Sequence, residues 1–415
     1  MAHNLRDRLR RIQEQKKIPA TEHQAIRPPK RNQNTADISF FKEQGWDSHG
    51  FLTLKREVTV KMRENIGAEL PPALMILVPD LDRMGKSGRE APKTEDFLFF
   101  DLETSGLSGG AGTVAFLAAF GRFTVKKNGL SLRITQYLLL DYPGENDFIE
   151  ALLAEFDNQS IITSYNGKCF DSQILKTRCL MHGIQPPEYF HADLLHPARR
   201  LWKTLLENCS QSTIETEILG LDRGGDTPGA MAPDIWFDFL KTGEGERLMG
   251  ICDHNCRDIS GLAAIFSAMV FIAKDPIRAA AQYRYDIEQI ALRWRYVIRN
   301  LCDKRYEKLR ITVTELLRLA AERRYPRASL AYAQDQLRGG NVNEGRKLLL
   351  GVASGNFPEN IRAAGLRSLA IDSERRLGNA AEALEFARQG MKLQLTSETW
   401  QKEFERRAER LTGRI

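Results

Sequence analysis

Cysteine is sparse in this 415-residue chain: six residues, at 169, 179, 209, 252, 256 and 302, without a single CxxC pair. That spacing excludes a disulfide-stapled secreted scaffold and a CxxC-type zinc module. Cys252 and Cys256 stand four apart, but no two further ligands accompany them. Reduced thiols in a cytoplasmic protein are the expectation. No run of 18 or more apolar residues occurs, so no membrane span is expected. The basic N-terminus, MAHNLRDRLRRIQEQKK, lacks the apolar stretch of a secretory signal. Asp7 and Glu14 count against an organelle-targeting helix. The glycines at 106, 109, 110 and 112 are not followed by GK[ST], which excludes a P-loop and leaves a turn between strands.

What is present is an ordinary soluble composition, 42% hydrophobic and 27% charged. The length suggests two domains and a tail. The net charge of +6 is unevenly spread. Residues 1–36 carry 9 lysines and arginines against 3 acids, residues 37–275 carry 24 against 34, and residues 276–415 carry 27 against 17. An acidic middle between basic flanks keeps a protein soluble. It also suits a protein whose flanks hold a polyanion while the middle gathers carboxylates around cations.

Residues 1–36 are polar and contain Pro28 and Pro29, the composition of a disordered basic tail. Residues 37–94 are weakly patterned: 51–60 alternates like a strand, and the apolar run ALMILVPDL (73–81) has no evident place. From 97 the signal strengthens. FLFFDL (97–102) reads as a buried strand, and 113–125 and 130–140 read as two more around the turn Lys127-Asn128-Gly129. Residues 145–156 have helical spacing. SIITSYN (160–166) is a fourth strand, followed by a helix that Gly183 stops. EYFHADLL (188–195) is a fifth, and 196–273 reads as helix and loop. A meander followed by alternating strands and helices implies a mixed α/β sheet covered by helices. Beyond Pro276 the pattern is all helical. A long helix pair is expected over 277–325, with Tyr283, Ile287, Ile290 and Trp294 at three- and four-residue steps. Two Gly-Asn turns, at 340–341 and 378–379, then lie 38 residues apart, an offset that resembles tetratricopeptide (TPR)-like repeats.

Asp101 and Glu103 carry the strongest chemical signal. Positions i and i+2 of a strand face the same way, so both carboxylates leave the end of FLFFDLE together. Two close anions are unfavourable unless cations lie between them, and such oxygen ligands suit Mg²⁺ or Mn²⁺. YNGKCFD (165–171) sets Asp171 near a helix start, after a strand expected beside the first. In HNCRDISGL (254–262), His254 and Asp258 share a helix face at i, i+4. Each feature alone has a bland reading, as a helix-start acid or a solvated helix face. In this order and setting they are specific.

DLETSGLSGGAGTVAFL, SYNGKCFDSQIL and HNCRDISGLAAI together resemble the three nuclease motifs of the DEDD 3′→5′ exonuclease superfamily. The details, including GGDTPGAMAPDIWFDFLKTG (224–243), are most similar to the YprB-type RNase H-like domain family. The resemblance spans about residues 95–272 and implies an RNase H-like exonuclease domain at 95–275, followed by an all-helical TPR-like region at 276–415. It further implies that Asp101, Glu103, Asp171 and Asp258 hold two divalent cations and cut a terminal phosphodiester by two-metal catalysis. Thr104 then borders the terminal nucleotide, and Asn166, Phe170 and Asp171 match an N-x₃-F-D motif. The implied partner is the 3′ end of single-stranded nucleic acid, DNA or RNA, and the helical tail offers a surface to a protein partner. One departure stands out. The superfamily places a tyrosine four residues, or a histidine five residues, before the last aspartate, whereas here His254 stands four before Asp258. From that position it can reach the same water as a general base, with a structural histidine as the alternative. A non-catalytic scaffold is the rival from another class, and the retention of all four acids argues against it.

Overall fold

The computed structural model describes residues 38–86, 91–106, 112–126, 129–157, 159–301, 306–394 and 397–415. The expected basic tail, Lys127, Asn128, Gly109, Gly110 and Cys302 lie outside them. The architecture is a mixed sheet with helices on both faces, followed by a run of helices. Seven strands appear among the described residues: β1 Asp47–Gly50, β2 Thr53–Lys61, β3 Phe97–Thr104, β4 Ala115–Lys126, β5 Gly129–Leu139, β6 Ile161–Ser164 and β7 Phe190–Asp193. They lie in the order β1-β2-β5-β4-β3-β6-β7. β3 runs parallel to β6 and β6 to β7, while the other pairs are antiparallel.

The period-2 alternation of β3 decides which side chains meet which layer. Phe97 and Phe99 turn to the helix Glu246–Lys274, where Phe266 lies with ring centroids 4.3 and 5.7 Å away. Leu98, Phe100 and Leu102 face a second core built with Phe116, Phe120, Phe148 and Trp236. Each such side chain contributes about 1.5–3 kcal/mol by leaving water. The helix Glu246–Lys274 is apolar and long enough to cross a membrane by length and composition. However, 67% of its most apolar stretch is buried within the protein, so the core accounts for that character.

The strand foreseen at 51–60 is present as β2, which pairs along its whole length with β5. Two readings change in the structure. The run at 73–81 becomes two short helices, Ala73–Leu77 and Pro79–Lys86, divided where Pro79 supplies no donor to the preceding turn. Among the described residues, 277–325 carries three α-helices rather than a pair: Pro276–Gln282, Ile287–Leu301 and Leu309–Glu322. The first break is held by bonds to the helix Leu195–Trp202. The Trp202 indole donates to the Tyr283 carbonyl at 3.2 Å, and the Asp286 N–H donates to the Leu201 carbonyl at 2.8 Å.

The helices Pro326–Arg338, Val342–Ser354, Glu359–Arg375, Ala380–Met391 and Glu398–Thr412 each pack on their predecessor. Gly340 (φ +93°) and Gly378 (φ +63°) take the left-handed conformation at the two Gly-Asn turns. The core holding Phe97 and Phe266 also contains Ile290, Trp294 and Leu316, so packing runs unbroken through residue 276.

Candidate functional site

Asp101 and Glu103 follow Phe97 and Phe99 on the face of β3 that meets the helix Glu246–Lys274, which carries His254, Asn255 and Asp258. That helix lies close because β4 offers Gly121 beneath it: a Cβ there would stand 2.6 Å from the Ile259 side chain. β6 ends at Ser164, and the loop after it delivers Asp171 as the first residue of the helix Asp171–Met181. Gly167 is required by close approach, since its Cβ would lie 2.7 Å from Asp171 Oδ2 and 2.6 Å from Ser164 Oγ. Buried Asp193, at the end of β7, clamps this loop. It accepts from the Asn166 N–H at 2.9 Å and the Lys168 N–H at 3.2 Å, and so supports the left-handed turn at Asn166 (φ +68°).

The five groups singled out as catalytic sense one another's charge. Burial, then the charges of Asp258, Asp171 and Glu103, raise the Asp101 carboxyl well above its usual range. Burial, with Asp258, Asp171 and Asp226 against a lowering influence of His254, takes Glu103 up to about 8. Burial and Asp193 take Asp171 up to about 7. Glu103, His254 and Asp258 offer donor atoms that all lie within 4.8 Å of one another. Crowded carboxylates that resist ionisation fit divalent cations, which would supply the missing positive charge.

His254 is fixed on both sides. Its Nδ1 lies 2.9 Å from Asp226 Oδ2 and its Nε2 3.2 Å from Asp258 Oδ2. Two flanking carboxylates favour an imidazole that is protonated on both nitrogens. Burial by itself would lower its pKa, but the bonds to Asp258 and Asp226 and the charge of Glu103 take it up to about 9. Asp258 is held in turn by Arg223, whose Nη2 lies 2.6 Å from its Oδ1, and Arg223 is anchored on buried Glu215 at 2.5 Å. Glu215 fits against the long helix only because residue 261 is glycine: a Cβ there would fall 1.8 Å from Glu215 Oε1.

Thr104, Asn166 and Phe170 fare differently. Thr104 is buried and its hydroxyl donates to the Gly106 carbonyl at 2.9 Å, while Asn166 and Phe170 are exposed at the loop beside Asp171. His191 lies between the Ser164 and Ser172 hydroxyls, and partial burial followed by the Lys168 charge takes it down to about 4, a neutral, half-buried imidazole. Trp202, Trp236 and Trp294 are core residues. Sequence reasoning missed Arg223, Glu215 and Asp226, and also Asn255 and Gln136, which bond to one another beside Asp101. For Asp226 a signal existed, because it lies inside the GGDTPG segment already noted for its resemblance. Nothing local marks Glu215 or Gln136.

Residues 98–270 match the RNase_H superfamily. A Bacillus subtilis (strain 168) protein, "Uncharacterized protein YprB", is 33% identical over 280 residues. That alignment covers 64% of this chain and 66% of the relative's own length.

Proposed function

We propose, with an RNase_H superfamily domain at residues 98–270 as the premise, that this chain is a metal-dependent 3′→5′ exonuclease acting on single-stranded nucleic acid. DNA is placed slightly ahead of RNA as substrate. The observation that carries the reading is the convergence of Asp101, Glu103, Asp171 and Asp258 in one largely buried cluster, three of them with carboxyl groups held above their ordinary range. These four residues would hold two divalent cations, Mg²⁺ or Mn²⁺. When bound, the cations supply Lewis acidity at the scissile phosphate and its nucleophile.

The chain's own groups do the rest. His254, oriented by Asp226 through Nδ1, presents Nε2 toward Asp258, the position from which an imidazole that has given up that proton accepts one from water. Asn166 and exposed Phe170 stand beside Asp171 at the mouth of the cluster, where a terminal base can pack on the ring. The helices after residue 326 would serve as a TPR-like surface for a protein partner. Calorimetric titration with Mn²⁺ tests the reading: two ions per chain are expected, with uptake lost in Asp101→Asn and Asp171→Asn. A folded protein that takes up no cation would instead be a nucleic-acid-binding scaffold.

A further inference from the structure

Four residues lie directly opposite one another across the sheet: Arg56 of β2 pairs with Gln136 of β5, Gln136 with Ala119 of β4, and Ala119 with Asp101 of β3. Directly paired residues point to the same face, so a cation, an amide, a methyl group and the cluster's central carboxylate form one row. The methyl of Ala119 leaves a gap between Gln136 and Asp101, and Asn255 descends from the helix Glu246–Lys274 to fill it. Arg56 Nε and Nη2 donate to Gln136 Oε1 at 3.1 and 2.7 Å, Gln136 Nε2 donates to Asn255 Oδ1 at 3.0 Å, and Asn255 Nδ2 donates to Asp101 Oδ2 at 2.8 Å. Gln136 and Asn255 are both fully buried.

The direction of this chain is forced by chemistry. A guanidinium has only donors, so Gln136 must turn its oxygen to Arg56 and its NH₂ to Asn255. The Cys252 carbonyl, which can only accept, takes the other hydrogen of that NH₂ at 2.8 Å and demands the same orientation. Asn255 must therefore accept with its oxygen and donate with its nitrogen. Arg56 is itself fixed, its guanidinium lying 5.0 Å from the centre of the Trp46 ring and its Nη2 3.1 Å from Asp253.

We propose that Arg56, Gln136 and Asn255 are positioning residues that hold Asp101 Oδ2 as a hydrogen-bond acceptor and turn Oδ1 toward the cation site. The inference rests on the reading of Asp101 as a cation ligand. Supporting residues that orient ligands in this way alter metal affinity by roughly 10- to 100-fold when removed. The relay also gives β2 a function: it brings the first donor to the row that ends at Asp101.

The decisive variant is Arg56→Met, which keeps a long side chain over Trp46 and removes every donor. Losing a positive charge near a cation site should by Coulomb's law tighten cation binding, whereas losing the relay should weaken it. Mn²⁺ titrated calorimetrically into the full chain should bind roughly 10-fold more weakly in Arg56→Met. Gln136→Met, which adds no charge and leaves Asn255 without the Gln136 amide donor, should lose at least as much. Melting temperature is recorded for each variant, and affinities are compared only for chains folded at the assay temperature. Unchanged or tighter Mn²⁺ binding in either folded variant overturns the relay. If Asp101→Asn itself leaves Mn²⁺ binding intact, the error lies in the reading of Asp101 as a ligand.

Discussion

At the scale of single residues the site is a set of charges that do not suit one another, a conflict that bound cations would relieve. Asp101→Asn removes one of the repelling acids, so the metal-free variant should melt no lower than the parent while binding no cation. A fall of several degrees would make Asp101 a structural acid. The pH dependence has a definite sign. Glu103 titrates near 8 in the fold against an ordinary 4.5, so the fold holds its proton through that window and loses relative stability as it ionises. His254, raised from 6.5 to about 9, contributes stability that is complete below 6.5 and disappears as pH rises through 9. Both act in the same direction. The melting temperature of metal-free protein should fall between about pH 5 and 9, and added Mn²⁺ should flatten the fall. A curve rising over that range would contradict the assigned cluster. The same imidazolium bears on catalysis: a general base at His254 must first shed a proton, so activity needs an acid limb that is absent in His254→Ala. If that limb persists unchanged, His254 has a structural role and another group titrates.

At the scale of elements, small residues set how closely the layers approach. Gly261→Ala would drive a methyl into Glu215, loosening its hold on Arg223 and through it Asp258. Overpacking of this kind costs about 1–3 kcal/mol. Urea denaturation should register that loss, and stability equal to the parent would mean Glu215 relocates freely. These contacts also mark the limits of legibility. The placement of Asp101, Glu103, Asp171 and Asp258 on strand, helix start and helix face was legible because strand alternation, helix-start position and i, i+4 spacing are local rules. Glu215 and Gln136 were not legible, because their importance comes from chain segments 46 and 119 residues away meeting Gly261 and Asn255. β2 alternated visibly, yet which strand it would join depends on register against β5, which composition does not encode. The helix break near 283 was hidden for the same reason, being imposed by bonds to Leu201 and Trp202.

At the scale of the whole molecule, the basic C-terminal region uses much of its charge internally. Arg407, Arg410 and Arg414 gather on Glu374, Arg295 and Arg299 on Asp335, and Arg346 on Asp372 and Glu382. Most of these pairs reach past one helix to the next: Glu398–Thr412 to Glu359–Arg375, Ile287–Leu301 to Pro326–Arg338, and Val342–Ser354 to Ala380–Met391. Truncation at residue 275 would also strip Ile290, Trp294 and Leu316 from the core that holds Phe97. Such a chain should therefore lose solubility or cooperative unfolding, where a freely detachable tail would leave a stable domain with altered salt dependence. The central claim is met most directly by one gel. Single-stranded DNA and RNA, labelled at the 5′ or the 3′ end, are incubated with the full chain and Mn²⁺, beside Asp101→Asn as the blank. Stepwise shortening of the 5′-labelled strand, with immediate release of the label as a mononucleotide from the 3′-labelled one, is the expected result. Internal fragments, a ladder on the 3′-labelled strand, or equal cleavage by Asp101→Asn would contradict it.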